Sequence, residues 1–589
     1  MAGRLLPPVI PFRVGSTLAL AVFVAAGAVP SLGAHTTAGR SLPVFVDVAS
    51  EAGVHFRQVS GSLEKNYIFE AKGGGLCLLD YDGDGLLDIF FVQGNTLEDV
   101  QKGRSHGNAL YRANGDGTYT DVTVKAGVHG RGWGMGCTVG DVDDDGQPDI
   151  YVLGVNGNTL YRNMGDGRFA DATEKAGLKG GRWSTSAAFF DSDRDGDLDL
   201  YVANNIEVDV YSQPLSFPGP DCNYRGTRVM CGPRGLPGAP DAFYRNNGDG
   251  TFTDATVEAG LLEKAPLRYG LGVAVGDVDN DGWPDIYVAD DSTPSYLYLN
   301  RKDGTFEDVA LLAGVAVSDD GMEQAGMGVD LGDYDDDGWL DIVKSNFAFE
   351  NSNLYHNDRN GDFTDESLKT AGIGLATRPL VTWGTKFLDY DNDGWLDIVV
   401  AAGHVYPHLI RNPVAGEHYD QPRLLFRNLG DGRFADVSAE SGPGIREERS
   451  SRGLAAGDLD NDGDVDLAVV NIDGAPSILR NDGGNARSWL TVVLRGTASN
   501  RMGLGARVTV HAGGRRQIRE ATTSGSIFSA GDSRVHFGLG TAARADVEVR
   551  WPSGTTQVLK DVPANQILEI VEERGPVRPV SSGEEVRTP

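Results

Sequence analysis

Three features of this sequence predict an all-β protein: a seven-bladed β-propeller closed by an N-terminal strand and followed by a small β-sandwich domain. A nine-residue loop with aspartate at positions 1, 3, 5 and 9 and glycine at 6 returns seven times. A strand–turn–strand unit alternates with it. The last unit lacks one strand, and the missing piece stands at the front of the chain. The 80 glycines and the scarcity of helix-periodic stretches agree with many short strands, and 589 residues leave room for more than one domain.

The loops read DYDGDGLLD (Asp80, Asp82, Asp84, Asp88), DVDDDGQPD (Asp141, Asp143, Asp145, Asp149), DSDRDGDLD (Asp191, Asp193, Asp195, Asp199) and DVDNDGWPD (Asp277, Asp279, Asp281, Asp285). DYDDDGWLD (Asp333, Asp335, Asp337, Asp341), DYDNDGWLD (Asp389, Asp391, Asp393, Asp397) and DLDNDGDVD (Asp458, Asp460, Asp462, Asp466) complete the set. Clustered carboxylates repel one another without a cation, and calcium takes about six to eight oxygens at ~2.3–2.6 Å. Up to seven structural calcium ions are therefore expected. Glycine at 6 permits the turn around the ion. Position 7 varies from Leu86 to Asp464, as expected if only its backbone carbonyl is used. An EF-hand would need an acidic twelfth residue and a following helix. The twelfth residues here are Phe91, Val152, Val202, Val288, Lys344, Val400 and Val469, within β-branched or aromatic runs that read as strands.

Each repeat reads as strand A entering the aspartate loop, strand B leaving it, strand C (LYRN) and strand D (FTDVT), with Asn/Asp-Gly in the C–D turn. Four strands at a regular spacing read as a propeller blade. The unit from Ile478 has no strand D, whereas Phe45-Val-Asp-Val-Ala-Ser has no strand C before it. The N-terminal segment is thus expected to complete the seventh blade and remove an exposed edge. Small residues five before the first aspartate, from Gly75 to Gly453, are expected where A strands crowd at the axis. The propeller spans 45–485. Short strands with turn residues over 488–573 predict the sandwich, and 574–589 reads as a disordered tail.

The formal charge is −32, yet 28 of the 84 acidic residues are the aspartates at positions 1, 3, 5 and 9 of the seven loops, so the charge marks sites rather than an acidic tail. Such a surface disfavours nucleic acid. Residues 1–34, with Arg4, Arg13 and an apolar run from Leu18 to Val29, read as a signal peptide, with no membrane span after cleavage. The expected location is secreted, periplasmic or extracellular. Cys222 and Cys231 are expected to form a disulfide there. Cys77 and Cys137, placed on opposite faces of equivalent strands, are expected to remain free buried thiols.

The segment from Cys222 to Gly238, CNYRGTRVMCGPRGLPG, together with the aspartate loops, resembles the cartilage acidic protein family and its bacterial relatives. The loops themselves resemble FG-GAP/VCBS repeats of integrin α-chain propellers, which carry calcium in β-hairpin loops. Asn500, Gly503 and Gly505, the HFGLG run from His536 and Trp551-Pro-Ser-Gly resemble the ASPIC/UnbV domain. The resemblance covers about Phe45 to Glu572 and implies no general activity.

Strand polarity places B–C loops opposite the aspartate loops, and two of them are long: Asn204 to Ala242 and Ala402 to Arg423. Trp133, Trp183 and Tyr269, each eight residues before a first aspartate, are the candidate partner face for an extracellular glycan or protein. His404, His408 and His418 are expected to be ordinary loop histidines, and Asp330 with Lys386 a buried ion pair. No HExxH or CxxC is present, no catalytic residue is assigned, and the expected role is a binding or adhesion scaffold. The alternative is a glycan-acting enzyme built on dispersed channel residues, and the resemblance to bacterial ASPIC/UnbV proteins implies a further one, an accessory protein of natural-product biosynthesis.

Overall fold

The structure, a computed structural model, describes residues 42–215, 222–262, 269–370, 372–410 and 416–573. The expected signal peptide over 1–34 and tail over 574–589 lie outside the described residues. The described chain is all-β, with many antiparallel sheets and only short helical turns. No helix among the described residues is long and apolar enough to cross a membrane.

Sheets 1 to 6 follow one another along the chain. Their A strands are Leu76–Leu79, Trp133–Gly140, Ser184–Phe190, Gly270–Gly276, Val329–Gly332 and Thr382–Leu388. Each sheet is four-stranded with the order A-B-C-D. Sheet 7 takes strands A to C from Ser451–Gly457, Asp466–Asn471 and Ser477–Asp482. Its fourth strand is Val44–Asp47, which sets Phe45 opposite Asn481. Strand A of each sheet touches strand A of the next, and that of sheet 7 touches that of sheet 1.

The ninth loop residue ties each sheet internally. Asp88 accepts from Tyr81 N at 3.1 Å and from Ala113 N at 2.8 Å, which joins the A–B turn to strand C. All seven ninth aspartates repeat this pair of bonds, down to Asp466 with Leu459 N at 3.0 Å and Asn481 N at 2.7 Å. The asparagine ending strand C then links neighbours. Asn163 Nδ2 donates to Tyr81 O of the preceding sheet at 2.8 Å, and Asn246, Asn300, Asn357, Asn428 and Asn481 do the same one sheet further on. Sheet 1 departs from the pattern. Ala113 stands in the asparagine's place and Tyr119 replaces the phenylalanine that opens strand D elsewhere. A cavity of about 450 Å³ between sheets 7 and 1 is lined by both residues and by Leu459.

Beyond Ser488 two further sheets pack on each other. Ser488–Arg495 lies between antiparallel Val535–Gly540 and parallel Gln566–Val571. The second sheet orders Arg515–Glu520, Arg507–Ala512, Arg544–Arg550 and Thr556–Pro563. Leu490, Val492, Val508, Phe537, Val547 and Trp551 fill the space between them.

Residues 521–532 leave this C-terminal domain and enter the space between the A strands. The inner edge of each A strand would otherwise present unpaired N–H and C=O groups. Ala530 accepts from Leu78 N at 3.1 Å and donates to Leu76 O at 3.0 Å; Phe528 O accepts from Cys137 N at 3.1 Å. Ser526 exchanges bonds with Val329 at 3.1 and 2.6 Å, and Gly525 N donates to Val273 O at 3.1 Å. The small residues along the A strands thus have a partner besides one another: a β-carbon at Gly75 or Gly136 would overlap the Phe528 carbonyl.

Cys222 and Cys231 are disulfide-bonded, as expected. The expectation for the other two cysteines is overturned, because Cys77 and Cys137 form a disulfide with their Cα atoms 6.1 Å apart. Opposite faces of two strands in one flat sheet point away from each other. In sheets repeated by rotation, however, the front of one meets the back of the next, so opposite faces of neighbouring A strands converge.

The links between sheets are testable. Asn428→Ala removes bonds to Tyr334 O and Leu396 O and is expected to lower the thermal midpoint, at a cost of about 1–3 kcal/mol. Ala113→Asn supplies the missing donor beside the cavity and is expected to raise stability by about 1 kcal/mol; calorimetry reads both. Removing the Cys77–Cys137 bridge, which closes a 60-residue separation, by a double serine substitution is expected to cost about 2–4 kcal/mol, read as an earlier unfolding transition under oxidising conditions.

Candidate functional site

Each aspartate loop is organised by its own carboxylates. In loop 6, Asp389 Oδ1 accepts from Asp393 N at 3.0 Å and Oδ2 from Gly394 N at 2.7 Å. Asp393 Oδ1 accepts from Trp395 N at 3.1 Å. This last bond, from the position 7 amide to the position 5 carboxylate, recurs in all seven loops. It explains the chemical indifference of position 7, since the residue contributes a backbone N–H.

Carboxylate oxygens converge as a result. Those of Asp80, Asp82 and Asp88 lie within 4.8 Å of one another, as do those of Asp141, Asp143 and Asp149, of Asp191, Asp193 and Asp195, and of Asp277, Asp279 and Asp285. A fifth group joins Asp335 and Asp341 to His356. Its Nδ1 is 3.3 Å from Asp341 Oδ1 and 3.7 Å from Asp335 Oδ2. Burial pushes the ninth carboxyls up, to about 8 for Asp88 and Asp149 and about 7 for Asp199 and Asp341. Three of the first carboxyls rise for the same reason, to about 6 for Asp141, about 7 for Asp191 and about 8 for Asp333. Asp143 Oδ1, Asp193 Oδ1 and Asp277 Oδ1 are buried without a hydrogen-bond partner. In loops 2 to 4 the clustered donors are all oxygen, charge-rich and under-satisfied, which fits a hard divalent cation; in loop 5 an imidazole nitrogen joins them.

The sequence reading missed the arginine of LYRN. Arg427 Nε reaches Asp391 Oδ2 at 2.8 Å and its Nη2 reaches Asp393 Oδ2 at 2.6 Å; Arg112 spans Asp82 and Asp84 in the same way. It holds positions 3 and 5 from the strand C side. The signal was present, since arginine recurs at this place as Arg112, Arg162, Arg245, Arg427 and Arg480.

The fourth loop residue faces the C-terminal domain. In loops 2 to 7 it is left-handed, with φ of 55° at Asp144, 62° at Arg194, 59° at Asn280 and Asp336, 53° at Asn392 and 58° at Asn461. Asp144 Oδ1 accepts from Arg501 N at 3.0 Å, Asp336 Oδ2 from Arg515 Nε at 3.0 Å and Asn461 Oδ1 from Arg534 Nη1 at 2.7 Å. Asn392 Oδ1 lies 2.7 Å from His536 Nε2, Arg507 binds Asn280, and Arg194 donates to Pro552 O. Arg550 Nη2 bonds the first aspartate of loop 4, Asp277 Oδ2, at 2.6 Å.

The candidate partner face is corrected. Trp133, Trp183 and Tyr269 line no open rim; they are 2%, 0% and 1% exposed. The helix Ile68–Lys72 folds over them, with Phe69 edge-on to Trp133 at 5.1 Å, and Ile527 and Phe528 join the same cluster. The two long B–C segments lock together instead. Tyr224 OH donates to Glu417 Oε2 at 2.5 Å, and Arg225 Nη2 is 2.8 Å from Glu417 Oε1. His404 is buried between them and stays neutral, its imidazole pushed down to about 3 by burial, with Nδ1 accepting from Tyr406 N at 3.2 Å. Asp330 and Lys386 form the expected ion pair at 2.7 Å, and Lys386 Nζ also donates to Ser524 O at 3.3 Å.

A family model described as FG-GAP-like repeat matches residues 80–152, 141–202, 236–288, 277–344 and 414–469, and one described as ASPIC and UnbV matches 496–577. Cartilage acidic protein 1 of Homo sapiens is 29% identical over 344 residues, 56% of this chain and 48% of that protein. Its Xenopus tropicalis counterpart is 28% identical over 310 residues, 51% of this chain and 45% of that protein. The chain spans about half the length of the curated relatives it matches. Among solved structures, the BP39L lectin from Burkholderia pseudomallei aligns with a TM-score of 0.42 at 10% identity, over 69% of this chain and 95% of the lectin, which carries no argument about function. The chain is therefore built of FG-GAP-like repeats followed by an ASPIC and UnbV domain, and it is similar to the cartilage acidic proteins.

Proposed function

We propose that the chain is a secreted, calcium-binding, closed seven-bladed propeller that serves as a non-catalytic scaffold for an extracellular glycan or protein. The calcium is structural: the four aspartates of each loop hold it, and its charge offsets the repulsion among them. The propeller occupies 45–485 and the sandwich 488–573. The two disulfides support export to an oxidising compartment.

The observation that carries the scaffold reading is the covering of one face and of the centre by the chain itself. The aspartate loops meet the C-terminal domain, and residues 521–532 fill the space between A strands. This weighs against an enzyme working from channel residues, because Lys386 and Asp330 are engaged with each other and with Ser524 O. The opposite face remains for a partner. Tyr211 is 59% exposed in the first of the long B–C segments, and Phe349, 49% exposed, lies beneath Arg225 of the disulfide-closed hairpin at 4.6 Å. A glycan and extracellular-protein array should yield a partner whose binding is lost in Tyr211→Ser and Phe349→Ser variants. Both sites are exposed, so the fold should survive, and binding unaffected by either change would refute this face.

Chelation is expected to lower the thermal midpoint by about 10 °C or more, given ~2.7 kcal/mol per site at a hundredfold excess over Kd. The pH dependence separates the two states. Without calcium, the buried carboxyls of Asp88, Asp149 and Asp333 have folded pKa values above their unfolded ones, each about 8. The stabilising proton uptake is complete below about pH 4 and is lost as pH rises towards 8. The calcium-free midpoint should therefore fall from pH 5 to 8, whereas millimolar calcium should flatten that slope. A calcium-free midpoint that rises over this range would contradict the assignment.

A further inference from the structure

We infer that the C-terminal domain is a cation-dependent lid on the propeller: divalent ions in the aspartate loops and docking of this domain stabilise each other. The inference rests on the calcium reading above and assigns a partner to the loop face, namely the chain's own sandwich. Its basis is where the contacts fall. The fourth loop residue sits between the third and fifth carboxylates, and its left-handed backbone is part of the turn that brings those carboxylates together. The same residue carries the contact to the lid, as Asp336 does with Arg515 and Asn461 with Arg534. In loop 4 the coupling is more direct, since Arg550 bonds the carboxylate of Asp277, itself a prospective ligand.

A filled loop holds its fourth residue in the conformation that the lid recognises. An empty one lets three or four mutually repelling carboxylates move apart, and the fourth residue moves with them. The lid's second attachment, the strand-like insertion around Ser526 and Phe528, gives the docked state a readout within the backbone. Its amides donate to Val329 O and Ser186 Oγ respectively, in the space between the A strands. Undocking exposes these amides while the hairpins of each sheet keep their own ladders.

The experiment uses the full chain. Bound calcium is first measured by equilibrium dialysis. Hydrogen exchange is then followed with calcium and after chelation, below the temperature at which the calcium-free protein unfolds. Amides over 523–530 are expected to lose protection at least about tenfold on chelation, while strands B and C stay protected. Linkage supplies a second measurement, because coupling is reciprocal and typically about 5–150-fold. Arg515→Gln combined with Arg534→Gln should weaken calcium binding by about fivefold or more. Calcium that binds and leaves 523–530 equally protected when removed, or unchanged affinity in the folded double variant, overturns the inference alone. A chain that binds no calcium overturns it together with the calcium reading.

Discussion

A buried carboxylate that must be satisfied from two directions governs this architecture. The ninth aspartate of each loop accepts one amide from the loop's second residue and one from the end of strand C. A single side chain thereby closes the A–B turn and fixes where strand C lies against strand B. Ser or Asn could not supply two acceptor oxygens in the same place. Because the group is desolvated, its charge is costly unless a cation or protons offset it. The rest of the loop follows from that cost: three more carboxylates, a glycine at the turn and, at loops such as 1, 5 and 6, an arginine or histidine from strand C at the periphery.

The second constraint is the unpaired inner edge. The A strands, each at the edge of its own sheet, leave backbone donors and acceptors without a ladder partner on one side. The segment around Phe528 answers this from a different domain. It bonds the A strands of sheets 1, 2, 4 and 5 through its backbone and that of sheet 6 through Lys386. The sandwich is thus part of the core of the repeats, although nothing in its own sequence announces the role.

What the sequence disclosed, and what it withheld, divides by the range of the interaction. The clustered loop carboxylates, the strand order and the pairing of Val44–Asp47 with the last repeat all follow from local spacing repeated many times. The asparagine that ends strand C was equally visible as a recurrence, but its purpose is a bond to the preceding sheet, which spacing alone does not reveal. The pairing of Cys77 with Cys137 needed the rotation between neighbours, by which opposite faces converge. The burial of Trp133 and Trp183 needed the short Ile68–Lys72 helix, a five-residue element too brief for periodicity to expose. The insertion of Phe528 between the A strands depends on contacts hundreds of residues apart, such as the amide of Cys137.

The strand that completes sheet 7 has a consequence for how the molecule comes into being. Asp47 and Ile478, joined through that strand, are separated by 431 positions. A chain emerging from the ribosome amino end first must carry this segment unmatched through the synthesis of every intervening repeat. Contacts of such high order form slowly, and an unmatched strand invites pairing with another nascent copy. Sheet 7 gains its fourth strand only when this early segment meets Ser477–Asp482, which is made more than four hundred residues later.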